Sequence, residues 1–141
     1  MRSDPSRNPI KAETLIDGTA EGPLFRMAKP ISFWGGVDPA SGRVTDPRHP
    51  DHGASVAGTV LALSETIGSS SSSAVMLELI AQGLAPAALL LGRADAILTL
   101  GVVVAREMGL PAIPVLRVDV AALPQTGRVR IGQGGEIAFL G

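Results

Sequence analysis

The 141-residue sequence contains no cysteine. That excludes disulfides, thiolate nucleophiles and any metal cluster held on thiolates of this chain alone. It also fits a reducing, cytoplasmic setting. Aromatic residues are scarce, at 3%, so a core has to be built from Ala, Val, Leu and Ile. Neither sign of charge prevails: 12 Lys and Arg stand against 13 Asp and Glu, a net of −1. No basic face for nucleic acid is implied. Long hydrophobic runs are missing too. The longest, Leu84 to Ala105, is interrupted by Arg93 and Asp95 and carries Pro86, Gly92 and Gly101. A membrane span needs about 20 mostly apolar residues, so none is expected. Met1 to Pro9 is polar and lacks the apolar segment of a signal peptide.

What remains is 45% apolar and long enough for one domain with a real core. The expected organisation is a frayed tail over residues 1–10 and a single domain over 11–141. Short strands are expected at Thr14–Ile16, closed by the turn pair Asp17-Gly18, and within Gly22–Lys29. A strand is also expected over Ser55–Leu63, which alternates imperfectly through Val56, Val60 and Leu63. Apolar spacing predicts a helix over 72–82, with Val75, Met76, Leu79 and Ile80 on one face and Gly83 as its stop. Ala87–Leu91 reads as a buried strand. A second helix is predicted over Ala94–Met108, with Ile97, Leu98, Val102 and Ala105 inward and Gly109 at its end. Ala112–Val118 reads as a strand, and Gly127–Ile131 and Glu136–Leu140 as a hairpin through Gln133-Gly134-Gly135. The second half therefore alternates β-α-β-α-β, while both ends are mostly β. The fold class is α/β, with mixed sheets and two main helices.

Three loops carry the candidate chemistry. The first is Gly68-Ser69-Ser70-Ser71-Ser72-Ser73, between an apolar strand and a helix. A flexible linker has this composition, but a chain of this length leaves no second domain to link. Serine is a preferred N-cap, and a helix start offers unpaired N–H groups to a ligand, so the stretch reads as a short catalytic or binding loop. The second is Lys29 to Pro39, with the sole tryptophan, Trp34, and the Gly35-Gly36 pair. It is expected to plug the core beneath the sheet, with a contact surface as the alternative. The third, Asp46 to Gly53, holds both histidines. His49 and His52 are three apart, but Pro47 and Pro50 argue against a helix presenting both on one face. A hydrogen-bonded structural loop is expected there rather than a metal site. Nucleophile-elbow, Walker and dinucleotide-binding patterns are absent.

Taken in order, three motifs resemble the small subunit, or swivelling domain, of the aconitase X family of hydro-lyases. They are Lys29-Pro30-Ile31-Ser32-Phe33-Trp34-Gly35-Gly36-Val37-Asp38-Pro39, then Asp46-Pro47-Arg48-His49-Pro50 with Gly53-x-Ser55-x-x-Gly58, then Gly68-Ser69-Ser70-Ser71. The resemblance extends from about Thr14 to the end. It implies a swivelling β/β/α domain over a large, cysteine-bearing subunit that carries an iron–sulfur cluster or related metal site. This chain itself would bind no cofactor. The implied reaction is dehydration of a small hydroxy acid, cis-3-hydroxy-L-proline or phosphomevalonate. The resemblance also implies that Ser69 is the catalytic proton acceptor, with Gly68, Ser70 and Ser71 binding substrate. Without it, Ser69 reads as a helix cap, and the chain as a non-catalytic α/β binding module. Many relatives carry basic residues and glycine just before Gly-Ser, where this chain has Ser64-Glu65-Thr66-Ile67. Phosphate recognition favours Arg and Lys, so hydroxyproline is the expected substrate.

Overall fold

Four consecutive apolar residues make each of the two central strands, Val60–Leu63 and Ala88–Leu91, and all of those side chains are buried. Such runs belong in a parallel sheet covered on both faces. The computed structural model, which describes residues 7–141, places them there. In chain order the elements are β1 Ile10–Lys11, β2 Glu13–Ile16, β3 Ala20–Arg26, α1 Phe33–Gly36, β4 Val37–Asp38, β5 Arg43–Val44 and β6 Val60–Leu63. They continue with α2 Ser72–Gln82, β7 Ala88–Leu91, α3 Ala96–Glu107, β8 Val115–Arg117, β9 Arg128–Gly132 and β10 Glu136–Phe139.

Eight strands form one mixed sheet in the order β1-β10-β9-β3-β6-β7-β8-β2. Strands β3, β6, β7 and β8 are parallel, and the remaining pairings are antiparallel. The edge strands β1 and β2 are separated only by Ala12, whose N–H donates to the Gly135 carbonyl at 2.8 Å. The sheet thus curls until its edges nearly meet. Alternation splits the parallel strands between two cores. Leu61, Leu63, Leu89 and Leu91 face α2 and α3 with Met76, Leu79, Leu98 and Val102. Val60, Ala62, Ala88 and Leu90 face Val129, Ile131, Ile137 and Phe139. The result is a layered β/β/α arrangement with two main helices. Among the described residues no helix is long and apolar enough to cross a membrane.

The helix expected over 72–82 forms over that span, with Val75, Met76, Leu79 and Ile80 buried and Gly83 left-handed at its end (φ 73°). The second helix starts later than expected, at Ala96, because the Asp95 carboxylate caps it by accepting from the Ile97 and Leu98 N–H groups. Ile97, expected inward, is 38% exposed, and Gly101 takes its place on the buried face. The strand expected over Ser55–Leu63 forms only at Val60–Leu63, since Gly58 turns the chain at φ 70° just before it. Pro114 and its neighbours leave only Val115–Arg117 of the Ala112–Val118 expectation paired. Pairing begins at Ile10, the last residue of the expected tail, which lies opposite Ile137. Residues 1–6 of that tail lie outside the described residues.

Candidate active site

Parallel strands send their connecting loops off one end, the carboxyl end, where open α/β sheets bind ligands. Here β3 leads into the Trp34 loop, β6 into the serine loop and β7 into Gly92–Asp95. The three loops meet. Ile31 pairs with Thr66 as an isolated parallel bridge, and the Ile67 N–H donates to the Ile31 carbonyl at 3.0 Å. Gly92 packs so closely on the serine loop's stem that a Cβ there would lie 2.5 Å from the Ser64 carbonyl oxygen. Asp95, besides capping α3, accepts from the Thr66 hydroxyl at 2.5 Å.

The serine loop is held open in a defined shape. Ser69 is half-buried. Its Oγ accepts from the Ser71 N–H at 3.3 Å, and its carbonyl accepts from the Ser72 N–H at 3.1 Å. The N-cap of α2 is Ser71, two residues on, and it places no side-chain oxygen on the first helical turn. Ser69 is therefore not the cap. It precedes a helix start whose positive end faces the loop. The Ser71 N–H aimed at the Ser69 oxygen favours negative charge there, as an oxyanion donor does. Ser70 is exposed, Ser71 half-buried, and Ser72 buried beneath the turn.

Clefts flank this loop on two sides. One, of about 360 Å³, lies between Ser32, Trp34, Asp46, Arg48 and Ile67, so it joins the first two sequence motifs beside the residue that precedes Gly68. The other, of about 310 Å³, lies between Glu65, Thr66, Gly68, Arg93, Asp95 and Ile97. Trp34 does not plug the core. It is 61% exposed, and its neighbour Phe33 is the buried residue. The backbone leaves helical geometry at Trp34 (ψ 114°) and turns left-handed at Gly35 (φ 79°), which swings the indole outward. Ile67, at 57%, is exposed beside it.

The cations missing before Gly68 arrive from elsewhere in the chain. Arg93 shares the second cleft with Gly68, and among the described residues it has no ion-pair or hydrogen-bond partner. Arg48 shares the first cleft, and its nearest acid is Asp46 at 3.8 Å. Sequence reasoning missed Arg93, Thr66 and Asp95 as parts of this site. An aspartate directly before a helical pattern was the available signal for the last of these.

His49 is buried, with Nε2 2.9 Å from the Lys29 carbonyl and Nδ1 3.0 Å from the Asp51 N–H. The amide must donate to Nδ1, so the proton sits on Nε2 and both ring nitrogens are engaged. His49 thereby ties the Asp46–Gly53 loop to the start of the Trp34 loop, while His52 is exposed. Among the described residues no group of three or more His, Cys, Asp or Glu side chains stands where a metal could be held. With no cysteine in the sequence and with His49 committed to its loop, the described residues offer no donor set for an iron–sulfur cluster.

A family model described as the aconitase X swivel domain matches residues 9–139. The chain is 43% identical over 112 residues, 79% of its length, to a cis-3-hydroxy-L-proline dehydratase of Hypocrea jecorina, but spans only 19% of that protein. It is 39% identical over 122 residues to a phosphomevalonate dehydratase small subunit of Thermococcus onnurineus, covering 86% of this chain and 90% of that one. The crystal structure of Thermococcus kodakaraensis aconitase X in its holo form superposes with a TM-score of 0.85 at 34% identity, over 96% of this chain and 100% of the matched one.

Proposed function

This chain belongs to the aconitase X swivel-domain family, and from that membership we propose that it is the small subunit of a phosphomevalonate dehydratase. It closes over a large subunit that carries the metal centre and offers Ser69 as proton acceptor. The observation that carries the substrate assignment is the near end-to-end match to a phosphomevalonate dehydratase small subunit, 90% of whose length is aligned. The same relationship revises the expectation of hydroxyproline, which rested on the missing basic residues before Gly68. Arg93 supports the revision, because it lines the cleft beside Gly68 and has no partner among the described residues, and guanidinium suits a phosphate. Cis-3-hydroxy-L-proline is the second reading, favoured by the higher identity of 43%.

A dehydration of this kind removes a proton from the carbon beside an activating carboxylate and a hydroxyl from the next carbon; water leaves and a C=C bond forms. Ser69 takes the proton. A serine oxygen is a weak base unless its anion is stabilised, and the Ser71 N–H and the positive end of α2 supply that stabilisation here. Gly68, Ser70 and Ser71 line the approach and bind the substrate with their backbone and hydroxyl groups. A metal centre, when bound in the large subunit, supplies a Lewis acid for the departing hydroxyl. The exposed Trp34 and Ile67, at the rim of the Arg48 cleft, dock against the large subunit and bury the site. Aromatic anchors of this kind are typical of interface centres.

The test is reconstitution with the large subunit and assay of 5-phosphomevalonate against cis-3-hydroxy-L-proline. Loss of water from phosphomevalonate is the expected outcome, with no turnover by either subunit alone. Turnover confined to hydroxyproline would hand the assignment to the second reading.

A further inference from the structure

We propose that Thr66 and Asp95 form a clasp that positions the serine loop, with helix α3 as the platform on which both flanks of that loop rest. The proposal rests on the reading of Ser69 as the proton acceptor. Its basis is the way the loop is attached. Among the described residues, Ser69's own hydrogen bonds are local, to Ser71 and Ser72, so they fix the loop's shape but not its place on the body of the protein. Place comes from the flanks. Upstream, the Thr66 hydroxyl donates to Asp95 Oδ2 at 2.5 Å, a charge-assisted bond at the short end of its range. Asp95 cannot drift, because its other oxygen accepts from the Ile97 and Leu98 N–H groups, each at 3.0 Å. Ile67 is pinned from the opposite side by the Ile31 carbonyl. Downstream, α3 meets the first turn of α2 at Gly101, where a Cβ would stand 2.6 Å from the Ser73 carbonyl oxygen. One helix therefore holds residue 66 through its cap and residue 73 through its glycine, and Ser69 lies between.

Asp95 and Thr66 are positioning residues in this account, since they act on the reacting atoms only through the loop. A catalytic atom displaced by about 1 Å can cost on the order of 10²-fold in rate. Thr66→Val keeps the side-chain shape, removes the hydroxyl and leaves the Asp95 cap on α3 intact. In the full chain, amide hydrogen exchange over Gly68–Ser71 should rise at least about tenfold, while the thermal midpoint stays close to wild type. In the assembled enzyme kcat should fall at least about tenfold with little change in KM. Thr66→Ser should restore both, and Thr66→Ala should reproduce the valine phenotype. Unchanged exchange in Thr66→Val would overturn the clasp. Faster exchange with wild-type kcat would overturn its positioning role. A wild-type assembly that dehydrates neither substrate would instead sink the functional reading, and the exchange measurement would still decide the clasp.

Discussion

At the scale of single residues, the proposed function gives two side chains different tasks. Ser69 sits half-buried before a helix start and receives a backbone N–H on its oxygen. Ser69→Ala removes that oxygen without removing a cap, since the cap is Ser71. Its thermal midpoint should stay near wild type. In the assembled enzyme kcat should fall by at least about 10²-fold, the ordinary worth of a positioned base. Ser73→Ala loses only a 3.4 Å bond to the Ser70 carbonyl and should be far milder. Equal activity in both variants would place the proton acceptor elsewhere. Trp34 has the other task. Because the ring is mostly exposed, Trp34→Ala should change folding stability by no more than about 0.5 kcal/mol, as surface substitutions do. Its effect should appear in gel filtration with the large subunit, as weakened or lost assembly.

At the scale of elements, the loops are as closely built as the helices. His49 joins two of them by satisfying the Lys29 carbonyl and the Asp51 N–H at once. His49→Ala empties a buried ring site and leaves two part-buried backbone groups without their partner, and it should cost about 1–3 kcal/mol in urea unfolding. His52→Ala, exposed, should cost almost nothing. The contact between α2 and α3 depends on a glycine. A methyl group at Gly101 would collide with the Ser73 carbonyl oxygen at 2.6 Å and press on Met76 Cβ at 3.0 Å. Alanine is the better helix former by about 1 kcal/mol, yet overpacking costs about 1–3 kcal/mol. Gly101→Ala should therefore lower the denaturant midpoint rather than raise it, and it should disturb the serine loop that rests on this contact.

At the scale of the whole molecule, the curled sheet brings together strands far apart in sequence and ties them with surface charge. Glu21 on β3 accepts from Arg128 at 3.0 Å and Arg130 at 3.4 Å on β9. Hydrogen bonding to Arg128, then to Arg130, with the charge of both, holds its carboxyl below the ordinary value of 4.5. A carboxylate whose folded pKa is depressed contributes stability that is present above the unfolded value. That stability is lost as pH falls through the folded value. Wild type should therefore lose thermal stability on acidification below about pH 4.5, and Glu21→Gln should lose less over the same range. The difference should be small and should shrink with added salt, since the pair is partly exposed. An identical acid limb in both proteins would remove Glu21 from the acid response.

Much of the fold was legible in sequence because it follows local rules. Val75, Met76, Leu79 and Ile80 repeat at helical spacing, and Gly83 supplies the left-handed stop. The apolar run at Ala87–Leu91 marked one buried strand of the parallel set, and Gly134-Gly135 marked the hairpin between β9 and β10. The serine loop was legible as well, because Ser-rich sequence before a helical pattern has a physical meaning at a helix start. What sequence could not determine is anything that depends on two distant segments meeting. Trp34 looked like core because bulky apolar residues are usually buried, but the turn at Gly35 decides which of Phe33 and Trp34 points inward. The serine loop looked poor in positive charge because Arg93 lies 25 residues from Gly68 by their numbering. Parallel strands send their carboxyl ends to one side, and that topology brings Arg93, Asp95 and Thr66 into one cleft with Gly68, the residue before Ser69.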